Sequence, residues 1–135
     1  VSGRSKARKR ALDVLYETDL RSTDPVATVG ERVARADPPV PAYAVELVEG
    51  VTGHRARIDE IIASYAEGWT LERMPAVDRN VLRIGVYELL WRDDIPDAVA
   101  IDEAIELVKS LSTDDSPRFI NGVLARILRS RPVVT

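Results

Sequence analysis

The apolar positions of this chain recur at helical spacing, most densely between Asp78 and Leu90, where Val81, Leu82, Gly85, Val86, Leu89 and Leu90 make a stripe wide enough to be covered on more than one side. That pattern predicts a central helix. Two more follow, Ile101 to Leu111 and Pro117 to Leu128, with stripes at Ile101, Ala104, Ile105, Val108 and Leu111 and at Ile120, Val123, Leu124, Ile127 and Leu128. Upstream, Ala7, Ala11, Val14 and Leu15 predict a helix from Ser5 to about Arg21. A second helix starts at Pro25 with Asp24 as its N-cap, and a third helical region runs from about Pro41 to Ala66. Gly50 and Gly53 predict a break in that third region near His54, and three prolines between Asp37 and Pro41 predict a stiff connector.

Glu67 to Pro75 reads as a hinge, with Gly68 as a C-cap, Thr70 capping a short turn and Trp69 as a plug between helical layers. The fold class expected is all-α: one domain of about six to seven helices in two subdomains, about 1–67 with three helices and 68–135 with three to four.

At 135 residues the chain has the length of one ordinary domain and can bury about two-thirds of its unfolded surface. It holds no cysteine, which excludes a disulfide framework, thiolate metal ligands and a cysteine nucleophile, and fits a cytoplasmic location. No apolar run approaches the roughly 20 residues of a membrane span, and no signal-peptide core is seen, so a soluble protein without membrane partners is expected.

The formal net charge of -3 conceals an asymmetry. Arg4, Lys6, Arg8, Lys9 and Arg10 fall in the first ten residues with no acid, which leaves 14 basic against 22 acidic residues in the rest of the chain. An acidic body repels a polyanion over most of its surface and leaves it one local landing place. Cations at a helix start also oppose the macrodipole by a few tenths of a kcal/mol, roughly, so their placement there invites a reason. Two readings stand: phosphate binding, or a solvated, solubilising terminus.

Tyr16, two turns beyond Lys9, is either a core-edge residue or a platform on which a base stacks. Phe119 is the single phenylalanine and lies off the centre of its helix's stripe, where it offers a stacking surface; Asp115 or Ser116 caps that helix. Gly122 is expected to allow close helix approach. His54, the one histidine, reads as a surface residue beside Arg55, and Asp93-Asp94 as solvated turn charges. No phosphate-cradling loop, nucleophile elbow or zinc spacing occurs, so neither catalysis nor a metal or cofactor is expected.

Five segments in register resemble the transcription antitermination factor NusB family. They are Lys9-Arg10-Ala11-Leu12-Asp13-Val14-Leu15-Tyr16; Asp78-Arg79-Asn80-Val81-Leu82-Arg83 with Tyr87-Glu88-Leu89; Ile95-Pro96; Ile101 to Lys109; and Phe119-Ile120-Asn121-Gly122-Val123-Leu124. The resemblance implies binding of boxA RNA together with NusE, a small-subunit ribosomal protein, within the transcription elongation complex, in support of processive transcription of ribosomal RNA operons. It implies RNA contacts from Arg4, Lys6, Arg8, Lys9, Arg10 and Tyr16, from Asp115, Ser116, Arg118 and Phe119, and from Arg83 on the central helix. Asp78 falls where the family faces NusE. By residue type alone, the acidic outer face at Glu103 and Glu106 is either a solvated face or a surface for a basic protein partner.

Ser5 interrupts the basic run and Pro117 stiffens the loop before Phe119, both departures from the family pattern. The same helical domain occurs at the front of ribosomal RNA cytosine methyltransferases; with no nucleotide-binding domain in the sequence, the stand-alone factor is favoured. The alternative is a helical protein-interaction module, or a homodimer that stores an RNA-incompetent form.

Overall fold

The computed structural model describes residues 3–134, which form seven α-helices and no strand. They are α1 (Gly3–Arg21), α2 (Pro25–Arg35), α3 (Ala42–Gly53), α4 (Arg55–Tyr65), α5 (Ala76–Trp91), α6 (Asp97–Leu111) and α7 (Ser116–Ser130), with a short 3-10 turn at Leu71–Arg73. None of the described helices is long and apolar enough to cross a membrane. Two compact units result, one ending at Gly53 and the next beginning at His54. The division falls at the predicted break in the third helical region, and α4 packs with α5 and α7.

In the first unit α1 and α3 are the principal pair, with α2 against both. Ala7 and Ala11 are fully buried on the inner face of α1, with Val14 and Leu15 below them, and Ala44, Leu47, Val48 and Val51 do the same on α3. Each fully buried branched side chain here contributes roughly 1.5–3 kcal/mol of transfer free energy. Asp24 caps α2 as expected, its carboxylate accepting from the Val26 N–H at 3.0 Å. Arg32 ties α2 to α1 through Glu17 at 2.6 Å, and that hydrogen bond holds the Glu17 carboxyl below its usual range against an opposing effect of burial.

In the second unit α5 is the axis, with α4, α6 and α7 packed against it. Val81, Leu82, Ile84 and Val86 are each at most 2% exposed. Ala100, Ala104 and Val108 on α6 are buried, as are Ile120, Val123, Leu124 and Ile127 on α7.

Gly85 is the glycine that the helix crossing requires: a Cβ there would stand 3.0 Å from a methyl of Leu124 and 3.7 Å from Ala104 Cβ. Gly122 has no such role, since a Cβ there would meet only the flexible Arg126 side chain of its own helix. After α4 the chain turns through Glu67 and Gly68 at φ 47° and 89°, the left-handed conformation that glycine adopts readily. His54 is exposed but not isolated. Its ring stacks on Trp91 at 4.7 Å between centroids, with Tyr87 completing the stack.

Candidate nucleic-acid interface

Two stretches expected to meet RNA lie in different units. In the first, the opening turns of α1 carry the cations, and its first turn holds no acidic residue. Arg4, Lys6 and Lys9 are exposed. Lys9 pairs with Asp13 one turn on, at 2.6 Å, an exposed pair that a phosphate could readily replace.

Arg10 is half-buried and donates to the carbonyls of Pro38 and Pro39, both at 3.2 Å, so that its guanidinium holds the proline connector to α1. Arg8, expected with the other cations at the surface, is 2% exposed. Tyr43, in the first turn of α3, receives two of these side chains: the Arg4 guanidinium carbon lies 4.5 Å from its ring centroid and that of Arg8 lies 5.8 Å away. Tyr16 is 37% exposed, open enough to present a ring face.

In the second unit the α6–α7 loop borders a cleft of about 580 Å³ lined by Trp69, Met74, Pro75, Asp115, Arg118 and Phe119, among others. The loop is held from beneath. Asp78, in the first turn of α5, accepts from the Ser112 hydroxyl at 2.5 Å and from the Ser116 hydroxyl at 2.8 Å, while Ser116 Oγ accepts from the Thr113 N–H at 3.2 Å. A carboxylate at a helix N-terminus is also favoured by the macrodipole.

Asp78 and Ser116, expected at the partner and RNA surfaces, are only 3% and 1% exposed and are engaged with each other. Together they position the groups around them. Asp115 occupies the N-cap site of α7 without a side-chain cap bond, and its carboxylate is exposed at the cleft. Arg118 is exposed and Phe119 half-buried.

Trp69 was expected to plug a layer junction, yet it is 52% exposed and meets Phe119 edge to face at 6.2 Å. The left-handed turn at Glu67-Gly68 turns it outward, and no periodicity in the sequence marks that outcome.

Arg83, expected among the RNA contacts, is buried as well. Its side chain is 5% exposed and grips Asp59 of α4 with two bonds, Nε to Oδ1 at 2.8 Å and Nη2 to Oδ2 at 3.2 Å, while Nη1 donates to Asn80 at 3.0 Å. This is a clamp between α4 and α5. On α6, Glu106 is exposed and paired with Lys109 at 3.1 Å, and Glu103 is half-buried. Among the described residues no group of three potential ligands could hold a metal ion.

The protein is thus an all-helical one with exposed cations at the start of α1 and, in the second unit, two rings beside a hydrogen-bonded loop. Residues 5–129 match the NusB family, and the chain belongs to it. It is 68% identical over 129 residues to the transcription antitermination protein NusB of Saccharopolyspora erythraea, covering 94% of this chain and 87% of that protein. The NusB structure of T. maritima superposes with a TM-score of 0.84 at 34% identity, covering 95% of this chain and 92% of the other. A crystal structure of antitermination factors NusB and NusE in complex with dsRNA contains a chain matching at TM-score 0.83 and 32% identity, covering 94% of this chain and 96% of that one.

Proposed function

We propose that this chain is a transcription antitermination factor that binds boxA RNA together with NusE within the transcription elongation complex, and so supports processive transcription of ribosomal RNA operons. The observation that carries the reading is the likeness, over 94% of the chain, to a NusB solved with NusE and RNA. The local chemistry supports it. Arg4, Lys6 and Lys9 neutralise phosphates; Tyr16 and Phe119 offer ring faces to unstacked bases, with Trp69 beside Phe119; Asp115 accepts from base amino groups; and Arg118 stands next to them as a further cation. Arg10 joins the phosphate set if its fork can leave the proline carbonyls. Arg8, Asp78, Ser116 and Arg83 act beneath the surface as supports. The acidic face at Glu103 and Glu106 is the surface offered to a basic protein partner such as a ribosomal protein.

The test is a titration of labelled boxA RNA at several salt concentrations, with and without NusE. Three phosphate contacts on a single strand predict that log affinity falls with log salt at a slope of about -2. A slope near zero overturns the phosphate role of α1. Phe119→Ala should weaken boxA binding more than binding to an unrelated RNA of equal length; equal losses would mean that the ring only packs.

A further inference from the structure

Along α1 the exposed residues Lys6, Lys9, Asp13 and Tyr16 follow helical spacing, so they form one stripe on the outer face of the helix. Three of them suit an RNA strand, with two cations for phosphates and one ring for a base. The fourth is a carboxylate, and it stands between the cations and the ring.

Folding does not account for Asp13. Aspartate is a poor helix former in a helix interior, and Lys9 precedes it, the less favourable order for a pair one turn apart. The pair is 2.6 Å long with 46% and 48% of the two side chains exposed, so it adds little to stability. Nor does the carboxylate help to hold a polyanion. A strand that reaches both Lys9 and Tyr16 must cross Asp13, which repels phosphate and competes for Lys9.

An ionised carboxylate only accepts hydrogen bonds, so what a strand can offer it is a donor. Bases differ in that respect: cytosine carries an exocyclic amino group where uracil carries a carbonyl oxygen. Residues three apart on a helix surface lie about 5–6 Å from one another, so a base stacked on the Tyr16 ring brings its edge within reach of Asp13. We propose that Asp13 is a specificity-determining residue for RNA: once Lys9 has taken a phosphate, the freed carboxylate accepts a hydrogen bond from the exocyclic amino group of the base on Tyr16, and it rejects uracil there. The proposal rests on the RNA-binding reading above and deepens it by naming the class of base that α1 accepts.

The experiment measures binding of oligocytidine and oligouridine of equal length at low salt. Wild type should bind oligocytidine about three- to tenfold more tightly. Asp13→Ala should bind oligouridine about two- to fourfold more tightly than wild type, having lost a repulsive charge and the competitor for Lys9, and should gain nothing on oligocytidine. Any preference carried by Asp115 is common to both proteins and cancels in that comparison. Asp13→Asn, whose amide both donates and accepts, should likewise narrow the preference. In a Tyr16→Ala background Asp13→Ala should strengthen binding of both probes alike, because no base is then held over the carboxylate.

Equal gains on both probes with Tyr16 in place would make Asp13 an electrostatic competitor only and overturn the proposal. Unchanged binding of both probes would make it a solvated charge, with the same consequence, as would a wild type that shows no preference for oligocytidine. Wild-type binding of boxA RNA without salt dependence would instead remove the phosphate role of α1, and the proposal with it.

Discussion

Arg83→Ala separates the two roles that an arginine at this position can have. If Arg83 is the α4–α5 clamp described above, its removal leaves Asp59 with the weaker Arg55 contact at 3.3 Å and takes from the Asn80 side-chain oxygen the guanidinium that donates to it. Removing one partner of a fully buried pair costs about 3–5 kcal/mol, but Asp59 keeps 29% of its side chain exposed and solvent takes up part of its charge, so about 2–3 kcal/mol is expected. For a chain of 135 residues that corresponds to a fall in Tm of roughly 6–15 °C.

Urea unfolding should report the loss as a lower midpoint, with the slope little changed. A double-mutant cycle with Asp59→Ala should show coupling, the pair of substitutions costing less than their sum. At temperatures where the variant is still folded, the salt slope of RNA binding should match wild type. A phosphate ligand would behave in the opposite way, with stability within about 0.5 kcal/mol of wild type and a slope shallower by about 0.7, and that result would refute the assignment.

Two further outcomes follow from the same geometry. Asp78→Ala removes the acceptor shared by the Ser112 and Ser116 hydroxyls and should destabilise the protein by about 2–3 kcal/mol, with faster amide exchange concentrated in the α6–α7 loop; uniform exchange acceleration would contradict a local anchoring role. Glu17→Gln tests the tie between α1 and α2. Because the folded-state pKa of Glu17 is depressed, its contribution is present above the unfolded value of about 4.3 and is lost as pH falls through the folded one. Wild type should therefore exceed the variant by no more than about 1 kcal/mol at pH 7, and the gap should close in acid below about pH 4. A gap that persists at pH 2 would mean that the difference is not carried by the carboxylate.

The helices were legible because most of them bury one stripe, and stripes are periodic. Their ends were less so: α6 begins at Asp97, four residues before its first predicted position, because its first turn follows directly on Pro96 and exposes Ala98 and Val99, burying only Ala100. The side-chain roles divide along a similar line. Lys6, Lys9 and Arg118 are exposed where surface cations were expected. The burial of Asp78 and Arg83 was not legible because their partners are remote in sequence, Asp59 lying 24 residues before Arg83 and Ser116 lying 38 after Asp78. One clue was present, since a helix predicted to be covered on more than one side must bury some of its polar residues, and Asp78, Asn80, Arg83 and Glu88 are all buried. The importance of Gly85 over Gly122, and the outward turn of Trp69, depend on how helices cross and turns close, which periodicity does not encode.

A motif rich in charge is easily taken as a list of ligand contacts, but burial divides this one into two kinds of residue. Arg8, Arg83, Asp78 and Ser116 are each less than 5% exposed, whereas Arg4, Lys6, Lys9, Asp115 and Arg118 are exposed. A buried charge keeps its charge only by satisfying most of its hydrogen-bonding capacity inside the protein, so it has little left to give an RNA strand without the fold giving way. Substituting the first group should therefore change stability, with binding lost only as unfolded protein accumulates. Substituting the second should change affinity and salt dependence at nearly constant stability, since exposed charges contribute little to folding. The two kinds of residue are distinguishable by the order in which heat and salt abolish binding, and that order does not depend on knowing which bases the strand presents.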